Sequence, residues 1–203
     1  VAHHYWSDRD RHRTGRLELE ETRRMLVGRA LTELGNPDPG LARQLADHYS
    51  VLQESLIDTF PDTRRVLAFF QRKRVQLAMV TNGNAAMQRR KIERFGFTSF
   101  MKHIFVEGEL GYGKPDPRVF RDALNVLKVS PDRVWCVGDN PEWDVAGAQA
   151  VGIVGIWKNN EGTDLPHPAI RPDYIIRDLT ELMDLYRVAG RGGYCSNAQG
   201  DEK

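Results

Sequence analysis

Asp139 and Asp144 follow the apolar run Val134-Trp135-Cys136-Val137 in a glycine-led turn, Gly138-Asp139-Asn140-Pro141-Glu142-Trp143-Asp144. Paired acids at the end of a buried strand suggest a cation. A hard divalent ion such as Mg²⁺ takes one or two carboxylates and leaves its other positions to water and phosphate oxygens. Two other strand ends carry matching chemistry. Thr81-Asn82-Gly83 closes the run Val75-Gln76-Leu77-Ala78-Met79-Val80 and offers a hydroxyl with backbone amides at the start of a helix, whose dipole favours an anion. Lys114, in the glycine-flanked stretch Gly111-Tyr112-Gly113-Lys114-Pro115-Asp116-Pro117, offers a point charge able to reach a phosphate oxygen. Bare acids would repel a phosphate dianion and a bound cation inverts that sign, so metal and phosphate are read together. Each piece also has a plain structural reading: a turn, a loop, or, for Asp144, the cap of the following helix.

The elements that must position these groups are legible as periodicity. Leu41, Leu45, Tyr49, Leu52 and Leu56 recur at helical spacing, and Gly35-Asn36-Pro37-Asp38-Pro39-Gly40 separates that helix from an earlier one over about 18–34. No strand interrupts this part, which reads as a small helical module over 1–58. Beyond Phe60-Pro61-Asp62, helices and short apolar strands alternate. The pattern predicts helices over about 63–72, 85–94, 118–127, 145–150 and up to about 187. Strands are expected over 75–80, 103–106, 134–137, 153–157 and 174–176. Such alternation argues an α/β core over 59–188 with a parallel sheet covered on both faces, and ligands then bind outside the carboxyl ends of the strands. The stretch 189–203, with Gly-Arg-Gly-Gly and Ser-Asn-Ala-Gln-Gly, reads as a disordered tail.

Val80-Thr81-Asn82-Gly83, Gly113-Lys114-Pro115-Asp116-Pro117 and Val137-Gly138-Asp139 with Asp144 resemble, in order, the second, third and fourth motifs of the haloacid dehalogenase (HAD) superfamily. The resemblance covers about 60–160, and the helical stretch before it looks like the end of the small helical cap found in one branch of the family. It implies a Rossmann-like core, Mg²⁺ dependence and hydrolysis of a small phosphorylated metabolite. By position, Thr81, Asn82 and Gly83 would receive the phosphoryl group, Lys114 would balance charge, and Asp139 and Asp144 would hold the metal.

The family's first motif, an apolar strand ending in two aspartates two residues apart, has no counterpart here. The first of those aspartates attacks phosphorus to give an aspartyl-phosphate, and the second serves as general acid and base. Asp8-Arg9-Asp10 has the spacing, but Val1-Ala2-His3-His4-Tyr5-Trp6-Ser7 is too polar for a central strand, and a solvated surface segment explains it. His3 and His4 read as surface residues. The missing strand belongs in the middle of the sheet, between the strands ending at Val80 and Val137, so both are expected to lack a neighbour. The simplest account is a chain that begins after the family's usual start and is inactive as it stands. Two other readings stay open: a metal-independent dehalogenase, against which the retained acid pair argues, and a non-catalytic phosphate-binding or interaction protein.

Composition excludes other classes. Across 203 residues, 29 basic and 28 acidic side chains leave a net charge of +1, which argues against a nucleic-acid or acidic-membrane surface. Cys136 and Cys195 form neither a disulfide framework nor a zinc site, and a cytoplasmic setting is expected. No apolar stretch is long enough to span a membrane. Substrate identity and oligomeric state are not legible.

Overall fold

The first two helices meet through Asp8, which caps the second, and through the Trp6 and His12 rings, 5.2 Å apart. The computed structural model describes residues Val1–Arg191. It opens with two short helices, α1 (Ala2–Trp6) and α2 (Arg9–Gly15), ahead of the first helix placed individually from the sequence. Asp8 caps α2 by accepting from the Arg11 amide at 2.9 Å, so the Asp8-Arg9-Asp10 stretch stands at a helix start and not at a strand end. Helices α3 (Leu19–Glu33) and α4 (Pro39–Leu56), either side of the Gly35–Gly40 turn, pack against each other. Asp38 caps α4 through the Leu41 amide, with Pro39 at its first position. Small residues set their packing: Ala42 and Ala46 are buried, and a Cβ on Gly28 would sit 3.7 Å from that of Ala42. The apolar stripe that revealed α4 is not its buried face. Leu45, Tyr49, Leu52 and Leu56 stay exposed, one step around the helix from the alanines.

Helix α5 (Thr63–Arg72) leads to strand β1 (Ala78–Thr81), three residues shorter at its start than its apolar run. Val75 is spent on ending α5: its amide donates to the Phe70 carbonyl at 3.0 Å, behind Arg74 at φ 57°. Then follow α6 (Ala85–Arg94), β2 (His103–Val106), α7 (Glu107–Leu110) and α8 (Pro117–Leu127), with Asp116 capping α8. Strand β3 (Trp135–Gly138) is succeeded by a π-helical turn, Pro141–Ala146, running into α9 (Gly147–Gln149). That helical stretch begins four residues before the expected Val145, because Asn140 is its cap and Pro141 its first residue. Strands β4 (Val154–Lys158) and β5 (Tyr174–Ile176) and helix α10 (Glu181–Arg191) complete the described chain.

Strands β3, β4 and β5 pair in parallel, with Trp135 beside Val154 and Ile156 beside Tyr174. Successive residues of β4 face opposite ways. Ile156 packs with Val66, Phe70, Ile176 and Leu182, under α5 and α10. Trp157 packs with Val145 and Ile170 on the other side. Both faces are therefore covered, as a parallel sheet requires. Strands β1 and β2 pair in a separate sheet. The break thus falls at β1 and β3, the two strands expected to lack a neighbour.

The chain divides into two compact units. One comprises Val1–Thr59, Asn82–Phe95 and Val106–Gly111; the other comprises Phe60–Thr81, Gly96–Phe105 and the described residues from Tyr112 on. Most of the expected tail, from residue 192 on, lies outside the described residues. Among the described residues no helix is long and apolar enough to cross a membrane.

Candidate active site

At the carboxyl end of β3 the two acids occupy different environments. The π-helical turn starts where Asn140 accepts from the amides of Glu142 and Trp143 at 3.0 and 2.9 Å. This winding brings Asp144 back over Gly138. A Cβ on Gly138 would lie 2.2 Å from the Asp144 carboxyl carbon, so only glycine leaves the space. Asp144 is buried and both its oxygens are engaged: Oδ1 accepts from Lys114 Nζ at 2.5 Å and Oδ2 from the Asn140 amide at 2.9 Å. Asn140, not Asp144, performs the capping that Asp144 could have served. Asp139 is exposed, and its carbonyl accepts from Trp157 Nε1 at 3.0 Å.

Lys114 reaches Asp144 because its loop is pressed against the same turn. A Cβ on Gly147 would meet Pro115 and Phe120 at 3.0 to 3.2 Å, so the bare backbone there admits Pro115, which is joined to Lys114 by a cis peptide bond. The side chains of Lys114 and Asp144 are 18% and 4% exposed, a largely buried ion pair. Cys136, on β3, has its thiol pushed up to about 12, by burial first and then by the Asp144 charge, with Lys114 opposing. It is no nucleophile at neutral pH.

Thr81 ends β1, in the same unit as Lys114, Asp139 and Asp144, whereas Asn82 and Gly83 belong to the other unit. The Asn82 carbonyl accepts from Gln88 Nε2 at 2.5 Å, and α6 is capped by Asn84 through the Met87 amide at 3.1 Å. Gly83 has φ +118°, a conformation that favours glycine. Its amide does not face open solvent as an anion donor would. It donates to Glu107 Oε2 at 2.8 Å in a buried contact.

Glu107 and its partner Arg16 were not among the residues singled out from sequence. Arg16 grips the carboxylate with two prongs, Nε to Oε2 at 2.7 Å and Nη2 to Oε1 at 2.6 Å. Nη1 of Arg16 also donates to His12 Nδ1 at 3.3 Å. Burial first, and the Arg16 charge second, hold His12 below the ordinary imidazole range. A signal for Glu107 was present: it follows the apolar run His103-Ile104-Phe105-Val106 as an acid at a strand end, the same criterion that marked Asp139.

Thr81, Lys114, Asp139 and Asp144 lie in the unit that holds the parallel sheet β3–β4–β5, and of these the structure brings Lys114 and Asp144 into contact. The chain belongs to the haloacid dehalogenase-like hydrolases, whose family model matches residues 5–152. Among curated proteins it is 36% identical over 153 residues to a phosphoserine phosphatase of Thermus thermophilus. That match covers 75% of this chain and 60% of the relative, so the chain spans less than two thirds of the relative's length. Among solved structures, a 2-haloacid dehalogenase from Pseudomonas syringae aligns with a TM-score of 0.63 and 31% identity, covering 93% of this chain and 82% of that one. The putative HAD-hydrolase YfnB from Bacillus subtilis, bound to magnesium, aligns with a TM-score of 0.69 and 25% identity over 83% of this chain and 72% of its own.

Proposed function

We propose that the chain carries the greater part of a HAD-type phosphohydrolase acting on a small phosphomonoester through an aspartyl-phosphate. The observation that carries this reading is the Lys114–Asp144 pair beside Asp139 at the end of β3. It supplies both signs of charge that a phosphoryl-transfer site requires. The kinship with a phosphatase of known name supports the same reaction. In this reading Thr81 and Asn82 orient the phosphoryl oxygens and Lys114 neutralises charge on them. Asp139 and Asp144 offer oxygen donors only, which suits magnesium. Among the described residues no group of three or more His, Cys, Asp and Glu side chains could hold a metal, so the remaining positions would fall to water and substrate oxygens. When bound, the ion neutralises charge on the transferring group.

The nucleophile is the part this reading must find elsewhere. Asp8 caps a helix, and among the described residues no strand joins the sheets β1–β2 and β3–β4–β5. We assign it to a strand upstream of the given residues that pairs between β1 and β3. The chain as given should release no phosphate from p-nitrophenyl phosphate with Mg²⁺. The chain extended through its own upstream coding sequence should turn it over, faster by more than about a thousandfold. Turnover by the chain as given would sink the assignment of the nucleophile. Inactivity of the extended chain would favour a non-catalytic phosphate-binding protein. The Pseudomonas neighbour favours a second reaction, attack on a carbon–halogen bond. Chloride release from 2-chloropropionate by the extended chain, without phosphate release, would establish that instead.

A further inference from the structure

We propose that Glu107 is the positioning residue of the anion loop: its carboxylate, neutralised by Arg16, holds the Gly83 amide and so fixes how Asn82 faces the phosphoryl group. The inference rests on the proposed phosphohydrolase reading and adds a residue to it. A glycine at φ +118° does not set its own attitude, since glycine samples many conformations at little cost. Something outside the loop must choose one. Two reciprocal hydrogen bonds do so here: Gly83 N–H donates to Glu107 Oε2 at 2.8 Å, and Gly108 N–H donates to the Gly83 carbonyl at 3.0 Å. The backbones approach so closely that a Cβ on Gly108 would lie 2.5 Å from the Ala85 nitrogen and 2.9 Å from the Gly83 oxygen. A third tie, Asn84 Nδ2 to the Leu17 carbonyl at 2.9 Å, anchors the same turn.

Scaffolding alone does not call for this chemistry. Packing two apolar side chains would stabilise the turn as well as an ion pair, because burying charges carries a desolvation cost that their attraction only offsets. A bare carboxylate on the Gly83 amide, next to Asn82, would also repel an incoming phosphate. The bidentate Arg16 offsets that charge, and Glu107 Oε2 accepts from both Arg16 Nε and the Gly83 amide; the two side chains are 12% and 2% exposed. The pair therefore supplies a strong acceptor with little net charge.

The test separates the acceptor from the ion pair. Inorganic phosphate affinity is measured by NMR titration on this chain, and KM for p-nitrophenyl phosphate on the upstream-extended chain, for Glu107→Gln and Glu107→Ala. Glutamine keeps an acceptor for Gly83 but loses the ion pair; alanine loses both. Phosphate affinity and KM should worsen about tenfold in Glu107→Ala and stay within about threefold of wild type in Glu107→Gln, a hydrogen bond to a charged group corresponding to at least that ratio. Tm should fall in both. If both variants bind phosphate as wild type does, or if glutamine is as damaging as alanine, Glu107 is structural only and the proposal is overturned. Should Glu107→Ala fail to fold, Glu107→Met, which loses the acceptor but keeps most of the volume, takes its place: a tenfold loss of affinity beside a near-normal Glu107→Gln supports the proposal, and near-normal affinity in both overturns it. Absence of phosphate binding and of turnover in the wild-type forms would instead sink the phosphohydrolase reading.

Discussion

Gly138→Ala should cost about 3 kcal/mol or more, the combined size of an overpacked core and a disturbed buried ion pair. The cause is space and not backbone conformation, because Gly138 is not among the residues of positive φ. Its added methyl carbon would stand 2.2 to 2.4 Å from three atoms of Asp144. Asp144 cannot swing aside cheaply, since Lys114 and the Asn140 amide hold its two oxygens. Relief must come from unwinding the π-helical turn or from expelling the carboxylate, and either breaks the site. For a chain of this size the expected fall in Tm is roughly 10 °C. Gly162→Ala is the contrasting substitution. Gly162 has φ +65° and lies in an exposed loop, so its cost arises from backbone strain of about 1 kcal/mol. Equal Tm values for the two variants would show that Asp144 does not press on Gly138.

The second large effect concerns the ion pair itself. Lys114→Met should destabilise by about 3 to 5 kcal/mol because it strands a buried carboxylate. Asp144→Asn should cost less, since the more exposed lysine can turn toward water while asparagine still accepts from Asn140. The double variant should be more stable than the sum of the single losses by about 2 kcal/mol, as for residues in direct contact. Urea unfolding of the four proteins measures that coupling. Additivity within about 0.5 kcal/mol would mean that the two side chains do not meet in solution.

Periodicity and turn chemistry carried much of the fold. Helices α5 and α6 and strands β2 and β5 occupy the residues that their apolar spacing and flanking caps indicate. Where local polar contacts do the holding, no such spacing exists to be read. Helices α1 and α2 bury almost nothing, and α2 depends on its Asp8 cap. Strand β1 was overestimated because Val75 and Leu77 are apolar for a different reason: they pack on the core beside Phe70, and the Val75 backbone closes the turn after α5. At the site, residue types were legible and partnerships were not. Lys114 and Asp144 were read as separate ligands of an anion and a cation, whereas they satisfy each other. Glu107 and Arg16 are 91 residues apart in sequence, and nothing local to either announces the other.

The helical unit is not a continuous stretch of polypeptide. It is assembled from Val1–Thr59, Asn82–Phe95 and Val106–Gly111, and the chain leaves it and re-enters it between those segments. A fragment cut after Thr59 would carry Arg16 without Glu107 and Leu17 without Asn84. Such a piece is not a portable module that could be excised, fused elsewhere or exchanged between relatives as one block. Any recombination that swaps the helices must also bring along the two short segments that carry Gly83 and Glu107, so the helices and the loop they hold are inherited together.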